Sequence, residues 1–247
     1  MLETQDLTIR FGGHVAVDRV SCTFQPGTLT AIVGPNGAGK TTYFNLISGQ
    51  LPASGGRVLL NGEDLTSLSA PQRTRRGLGR AFQLTQLFPH LTVLENVRLA
   101  VQARSGLGLR LFSVWLSHRA LIDESMALLE RVRLSARSND LAASLPHGDQ
   151  RKLEVALLMA LQPKVYLFDE PTAGMSVDEV PVVLDLIREL KREGKHTILL
   201  VEHKMDVVRE LADRIVVLHQ GALVADGEPA SVMASAVVQN AYLGVAA

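Results

Sequence analysis

Residues 34–42 read Gly-Pro-Asn-Gly-Ala-Gly-Lys-Thr-Thr, directly after the apolar run Leu29 to Val33 and directly before a helix-compatible stretch, Tyr43 to Ser48. Few segments restrict a chain so tightly. Strand, glycine-rich turn and helix in that order make a phosphate-binding loop, because glycines let successive backbone N–H groups crowd around phosphate oxygens while the new helix adds its positive end. Lys40 is spaced to reach the β- and γ-phosphates of a nucleotide, and the Thr41 hydroxyl can ligate Mg²⁺. Gly34, Pro35, Asn36, Gly37, Ala38, Gly39, Lys40, Thr41 and Thr42 are therefore the expected nucleotide contacts. The competing reading is a structural Gly-rich turn without a ligand.

The chain of 247 residues is long enough for one large domain or two modest ones. Lys plus Arg and Asp plus Glu both number 25, so the formal charge is zero and gives no electrostatic reason to expect nucleic acid as a partner. A lone Cys22 excludes an intramolecular disulfide framework and fits a reducing compartment. The start, Met1-Leu2-Glu3-Thr4-Gln5-Asp6, is polar and acidic, unlike a secretory signal. The longest apolar run, Val155 to Leu161, is far short of the roughly 18 residues of a membrane span. The expectation is a soluble chain, or one held at a membrane by another protein.

Short apolar runs at Leu29 to Val33, Val165 to Phe168, Thr197 to Val201 and Ile215 to Leu218 each precede a helical or turn pattern, which reads as a parallel sheet with crossover helices. The helix expected at Asp178 to Arg192 carries Val180, Val183, Leu184, Ile187 and Leu190 on one side and ends at Gly194. Leu7 to Ile9, Val20 to Phe24 and Arg57 to Leu60 read as antiparallel strands, the last followed by an Asn61-Gly62 turn. Between about Leu84 and Leu161 strand signals give way to helical spacing, as in Leu121, Ile122, Met126, Leu129 and Val132. The expected fold is α/β: a nucleotide-binding core at 1–83 and 162–247, flanked by an antiparallel β-layer, with a helical subdomain inserted at 84–161.

The run Val165 to Phe168 ends in Asp169-Glu170. At the carboxyl end of a parallel strand Asp169 would sit beside the phosphate loop and hold Mg²⁺ directly or through water, and Glu170 could polarise an attacking water. An acidic pair after a strand is also a common helix N-cap. His203, after Thr197 to Val201, taken alone reads as a surface or core histidine; its place at another strand's carboxyl end is what lets an imidazole donate to a γ-phosphate oxygen.

In order along the chain, Gly34 to Thr42, Gln83 within Ala81-Phe82-Gln83, Leu145-Pro146-His147-Gly148-Asp149-Gln150-Arg151, Asp169-Glu170-Pro171-Thr172 and Glu202-His203 resemble the ATP-binding-cassette ATPases over essentially the whole length. The resemblance implies a P-loop fold, ATP and Mg²⁺ as cofactors, and Glu170, His203 and Gln83 as catalytic residues. It also implies that Phe11 stacks on adenine near Val17, and that Gln83 bridges Mg²⁺, the attacking water and a transmembrane partner. Thr41, Gln83 and Asp169 would then hold the metal, and His147 and Gly148 would face the γ-phosphate on an opposite subunit. Bland alternatives stay open: Phe11 as a core aromatic, Gln83 as an ordinary loop residue.

Phe11-Gly12-Gly13-His14-Val15-Ala16-Val17, Gln150 to Ala156, Asp169 to Met175, the ending Ala241-Tyr242-Leu243-Gly244 and the extra segment Ala103 to His118 are similar to the ATPases of branched-chain amino acid and urea importers. Lipopolysaccharide-export ATPases share many of these traits. That extra segment, with Trp115, packs on the helical subdomain or lies on a membrane surface. Two positions depart from the family pattern: Pro146 where Ser is common, and Ser176 where an Asp is usual. The implied assembly pairs this chain with a second cassette subunit, in a heterodimer or a homodimer, on transmembrane permease subunits at the cytoplasmic face of the inner membrane, served indirectly by a solute-binding protein. Two other classes remain open at this level. One is a soluble cassette ATPase acting on nucleic acid, for which Arg73, Arg75, Arg76 and Arg80 would be the basic cluster; the other is a nucleotide-binding regulator without turnover.

Overall fold

The computed structural model describes residues 1–81, 87–105 and 119–243, with side chains up to 239. Its strands in chain order are β1 (Leu2–Phe11), β2 (His14–Phe24), β3 (Leu29–Val33), β4 (Gly55–Leu60), β5 (Glu63–Asp64), β6 (Leu78–Ala81), β7 (Val165–Asp169), β8 (Thr197–Val201), β9 (Arg214–His219) and β10 (Ala222–Gly227). The helices are α1 (Lys40–Ser48), α2 (Ala70–Arg75), α3 (Val93–Ser105), α4 (Arg119–Arg131), α5 (His147–Ala160), α6 (Val180–Arg192), α7 (Met205–Leu211), α8 (Pro229–Ala234) and α9 (Ala236–Leu243). They fall into two compact units: residues 1–80, 164–170 and 191–247, and residues 81–163 and 171–190.

The first unit holds two sheets, one of order β2-β1-β4-β5 and one of order β10-β9-β3-β8-β7-β6. In the second of these, β3, β7 and β8 are buried at every position, which is why their sequences are continuous apolar runs rather than alternations. β3 pairs in parallel with β8 on one side and β9 on the other, and β7 pairs in parallel with β8. The other sheet is antiparallel throughout. Its β4–β5 hairpin turns on Asn61 and Gly62, both with positive φ (51° and 82°), as a type I′ turn requires. Tyr43, Phe44, Leu46 and Ile47 of α1 are buried in one core with Leu2, Leu7 and Val58 of the antiparallel sheet and Ile32, Val201 and Val216 of the parallel one. Tyr43 also shares a 2.7 Å hydroxyl hydrogen bond with Thr4.

Two strands depart from expectation. β6 carries Gly79 and Arg80, and β10 carries Ala, Asp and Gly, compositions of weak β-propensity. Pairing at the edges of a sheet already formed recruits them. The basic cluster is also corrected: Arg73 and Arg80 are not a surface. Arg73 is 2% exposed and donates to the carbonyls of Leu46 and Ile47 at the end of α1, and to those of Thr66 and Leu68. Arg76 is exposed and pairs with Glu63.

The second unit is helical. α3, α4 and α5 pack on one another, with Val93, Val97, Val101, Leu129, Leu153 and Ala156 buried. Arg104 ties the bundle, donating to both carboxylate oxygens of Glu124 at 2.8 Å and to the carbonyl of Ala160. α6 begins at Val180 rather than Asp178, and ahead of it Glu179 accepts from the amide and hydroxyl of Ser176. The segment 106–118 lies outside the described residues, so the reading of Trp115 does too.

Arg73 satisfies carbonyls left open at the end of α1, the helix whose start carries Lys40. Arg73→Met should lower unfolding free energy by about 2–4 kcal/mol, since it strands several buried acceptors at once. Urea melts of the two proteins would measure this.

Candidate functional site

The glycine-rich segment leaves β3 and turns into α1. Gly39, the residue before Lys40, has φ +96°, and a Cβ there would lie 2.5 Å from the Ala16 carbonyl oxygen. No other residue fits that turn without strain. Lys40 is only 6% exposed, and its ammonium donates to the loop carbonyls of Gly34 (2.7 Å) and Pro35 (2.9 Å). Burial pulls its pKa below the ordinary lysine value, opposed by the negative charges of Glu170 and Asp169. A cation held by two neutral carbonyls is readily transferred to a phosphate oxygen, a stronger acceptor.

Around this loop is a cleft of about 400 Å³ lined by Phe11, His14, Ala16, Asn36 to Thr42, and His203. Phe11 is half exposed at the end of β1 and lies opposite His14 in the strand register, so it is not a core aromatic. Val17 is fully buried in the core, and Ala16 and His14 line the cleft beside Phe11 instead. The alternation of β2 was the signal that could have found them.

Parallel pairing sets the acidic side of the site. Ile32 pairs with Val201 and Val201 with Asp169, so the ends of β3, β8 and β7 are aligned. Glu170 follows with its amide bonded to the Val201 carbonyl at 2.9 Å and with φ +50°, a left-handed conformation rare for a residue with a side chain. His203 Nε2 lies 2.9 Å from Glu170 Oε1, a hydrogen bond in the tautomer that carries its proton on Nε2. Asp169 is 1% exposed; Oδ2 accepts from Arg80 at 2.6 Å, and Oδ1 has no hydrogen-bond partner. Burial pushes its pKa up, Arg80 pulls against that rise and Glu170 adds to it. A buried, unpartnered carboxylate oxygen is the donor type that a hard divalent cation takes, and the Thr41 hydroxyl in the cleft is another. The sequence groups Arg80 with a basic cluster, and nothing in its local pattern marks it as a partner of Asp169.

In the helical unit, Pro146 is the N-cap of α5 and makes no side-chain cap bond. His147 and Gly148 form the first turn. A Cβ on Gly148 would run into the Glu179 carboxylate, and the His147 ring lies against Gly174. The acid thus rests at the positive end of α5. A shallow pocket in the same unit is lined by Leu87, Pro89, Ala142, Ala143 and Gln150, with Phe88 and Leu141 exposed. Gln83 lies outside the described residues. None of the helices among the described residues is long and apolar enough to cross a membrane.

A family model described as "ABC transporter" matches residues 17–173. The chain is 39% identical to the high-affinity branched-chain amino acid transport ATP-binding protein LivG of Escherichia coli, over all of this chain and 98% of that one. It is 37% identical to the corresponding protein BraF of Pseudomonas aeruginosa, with the same coverage. The fold matches the ADP conformation of MJ1267, an ATP-binding cassette of an ABC transporter, with TM-score 0.83 and 28% identity over 99% of this chain and 98% of that one.

Lys40 is buried near the charges of Glu170 and Asp169, so its removal takes away the cation that opposes them at the loop. Lys40→Ala should weaken binding of a non-hydrolysable ATP analogue by about 2–4 kcal/mol. Isothermal calorimetry on the folded variant would read the change.

Proposed function

From the premise that the chain belongs to the ABC transporter family and is an ATP-binding-cassette ATPase, we propose that it is the ATP-hydrolysing subunit of an importer for branched-chain amino acids. The full-length likeness to LivG and BraF supports the substrate class. One structural observation carries the chemistry: the phosphate loop, Asp169, Glu170 and His203 meet at the aligned ends of three parallel strands.

In this reading Phe11 stacks on the adenine and the amides of residues 36–42 receive the phosphates. Lys40 exchanges its two carbonyls for β- and γ-phosphate oxygens. Mg²⁺ fits the hard oxygens of Thr41 and Asp169, and when bound it neutralises charge on the β- and γ-phosphates. Gln83, by resemblance alone, would be a further oxygen donor for this group. His203 turns from Glu170 to the γ-phosphate, which frees the Glu170 carboxylate to orient a water and take its proton. The water oxygen bonds to the γ-phosphorus as the bond to the β-γ bridging oxygen breaks, leaving ADP and phosphate.

The first turn of α5, with His147 and Gly148, serves a nucleotide held by a second cassette subunit, once the Glu179 carboxylate gives way to the more highly charged phosphate. Two cassettes closing on two ATP molecules would drive permease subunits, with the groove at Leu87, Pro89 and Ala142 as the docking place on this chain. The chain is then peripheral, at the cytoplasmic face of the inner membrane. A solute-binding protein acts on the far side. Pro146 has neither hydroxyl nor N–H to offer the opposite γ-phosphate, so pairing with a different cassette subunit is favoured over self-pairing.

Two measurements test these assignments. Glu170→Gln should keep nucleotide binding and lower phosphate release by roughly two to four orders of magnitude; near-normal turnover removes Glu170 from the role. ATP-dependent dimerisation of that same variant, followed by size-exclusion chromatography, should be weak and should strengthen when Pro146→Ser is added. A tight homodimer indifferent to Pro146→Ser counts against the heterodimer.

A further inference from the structure

Arg80 is the one charged group touching Asp169 in the described residues, and it is almost as buried: 6% side-chain exposure against 0%. Its guanidinium is not free to wander. Nη1 donates to Asn45 Oδ1 (2.7 Å), Ser48 Oγ (2.9 Å) and Gln50 Oε1 (3.0 Å), all neutral acceptors at or just beyond the end of α1, and the Phe44 ring lies 5.8 Å from its central carbon. Nη2 is left to meet Asp169 Oδ2 at 2.6 Å. A neutral cradle therefore presents one positive charge to the Asp169 carboxylate, whose Oδ1 has no hydrogen-bond partner among the described residues.

We propose that Arg80 is the resident counter-cation of Asp169: it supplies, in the nucleotide-free protein, the positive charge that Mg²⁺ brings with ATP, and it pins Oδ2 so that Oδ1 stays available to the metal. The inference rests on the Mg²⁺·ATP reading above. Its physical basis is that a lone carboxylate at this burial is strongly unfavourable, whereas the same carboxylate held by a guanidinium that is itself anchored by neutral acceptors is tolerated. It has a second consequence. When the metal arrives, two cations share one carboxylate, and their repulsion weakens metal binding relative to an unpaired Asp. Arg80 thus keeps the empty site folded and keeps Mg²⁺ exchangeable between cycles. A residue serving only to tie β6 to α1 would do neither.

The test is the melting temperature of full-length protein with and without a non-hydrolysable ATP analogue, titrated with Mg²⁺. Arg80→Met should lower the nucleotide-free melting temperature by on the order of 5–15 degrees, while the Mg²⁺ concentration giving half the nucleotide-dependent shift falls by about tenfold. Arg80→Lys, which keeps the charge but not the fork, should return the Mg²⁺ midpoint close to wild type. An Arg80→Met protein whose melting temperature drops equally in all states, or whose Mg²⁺ midpoint rises, overturns the proposal. Should Arg80→Met fail to fold, the pair Arg80→Met with Asp169→Asn decides: removing both charges should recover folding without nucleotide, and no recovery overturns the pairing. If wild-type protein shows no Mg²⁺-dependent shift, the nucleotide reading fails, and the double variant still tests the charge pair by itself.

Discussion

Parallel hydrogen bonding between β3, β8 and β7 is the constraint on which the rest of this site depends. It sets Ile32, Val201 and Asp169 in one row, so the strands end together and the chain leaves each of them on the same side. From β3 it leaves into the phosphate loop, from β7 into Glu170, and from β8 into Glu202 and His203. Segments more than a hundred residues apart are brought within hydrogen-bond reach by backbone geometry alone. Ligands in open α/β sheets gather at such carboxyl ends for this reason.

The strands can do this only because they are buried on both faces, and that burial creates an electrostatic problem. Lys40, Asp169 and Arg80 are all nearly withdrawn from water. Each is satisfied differently: Lys40 by two loop carbonyls, Arg80 by a cradle of neutral side chains, and Asp169 by Arg80 on one oxygen only. The unspent capacity is located where chemistry is needed. Lys40 has weak partners to give up, Asp169 has an oxygen without a hydrogen-bond partner, and Glu170 is held in a left-handed backbone conformation that ordinary packing would not select. Unsatisfied and strained groups persist because the surrounding core, with Tyr43, Phe44 and Ile47 of α1 locked between two sheets, over-determines them.

Much of this was legible in one dimension. Leu29 to Val33, Thr197 to Val201 and the Asn61-Gly62 turn were readable because their signals are local: continuous apolar runs with β-branching, and the residue pair that a type I′ turn demands. Gly34 to Thr42 declared its chemistry because backbone amides crowding a phosphate require glycine at fixed spacing. β6 and β10 were not legible, since Gly79, Arg80 and Asp226 oppose strand formation until a sheet edge offers partners. Val17, which the resemblance set beside the adenine, is buried in the core, while Ala16, one step along the strand and on its other face, lines the cleft.

What the amino-acid sequence determined by itself was the set of tools: a phosphate loop, a carboxylate pair at a strand end, a histidine at another, and an aromatic near the N-terminus. Each follows from residues adjacent in the chain. Only the tertiary structure decided which of them face one another. It turned Arg73 and Arg80 from a basic cluster into two buried ties, one closing the end of α1 and the other neutralising Asp169. No local pattern could have foretold that. An arginine's charge is visible in a sequence, but its partner is chosen by the packing that excludes water from both, and that packing is a property of the assembled sheets.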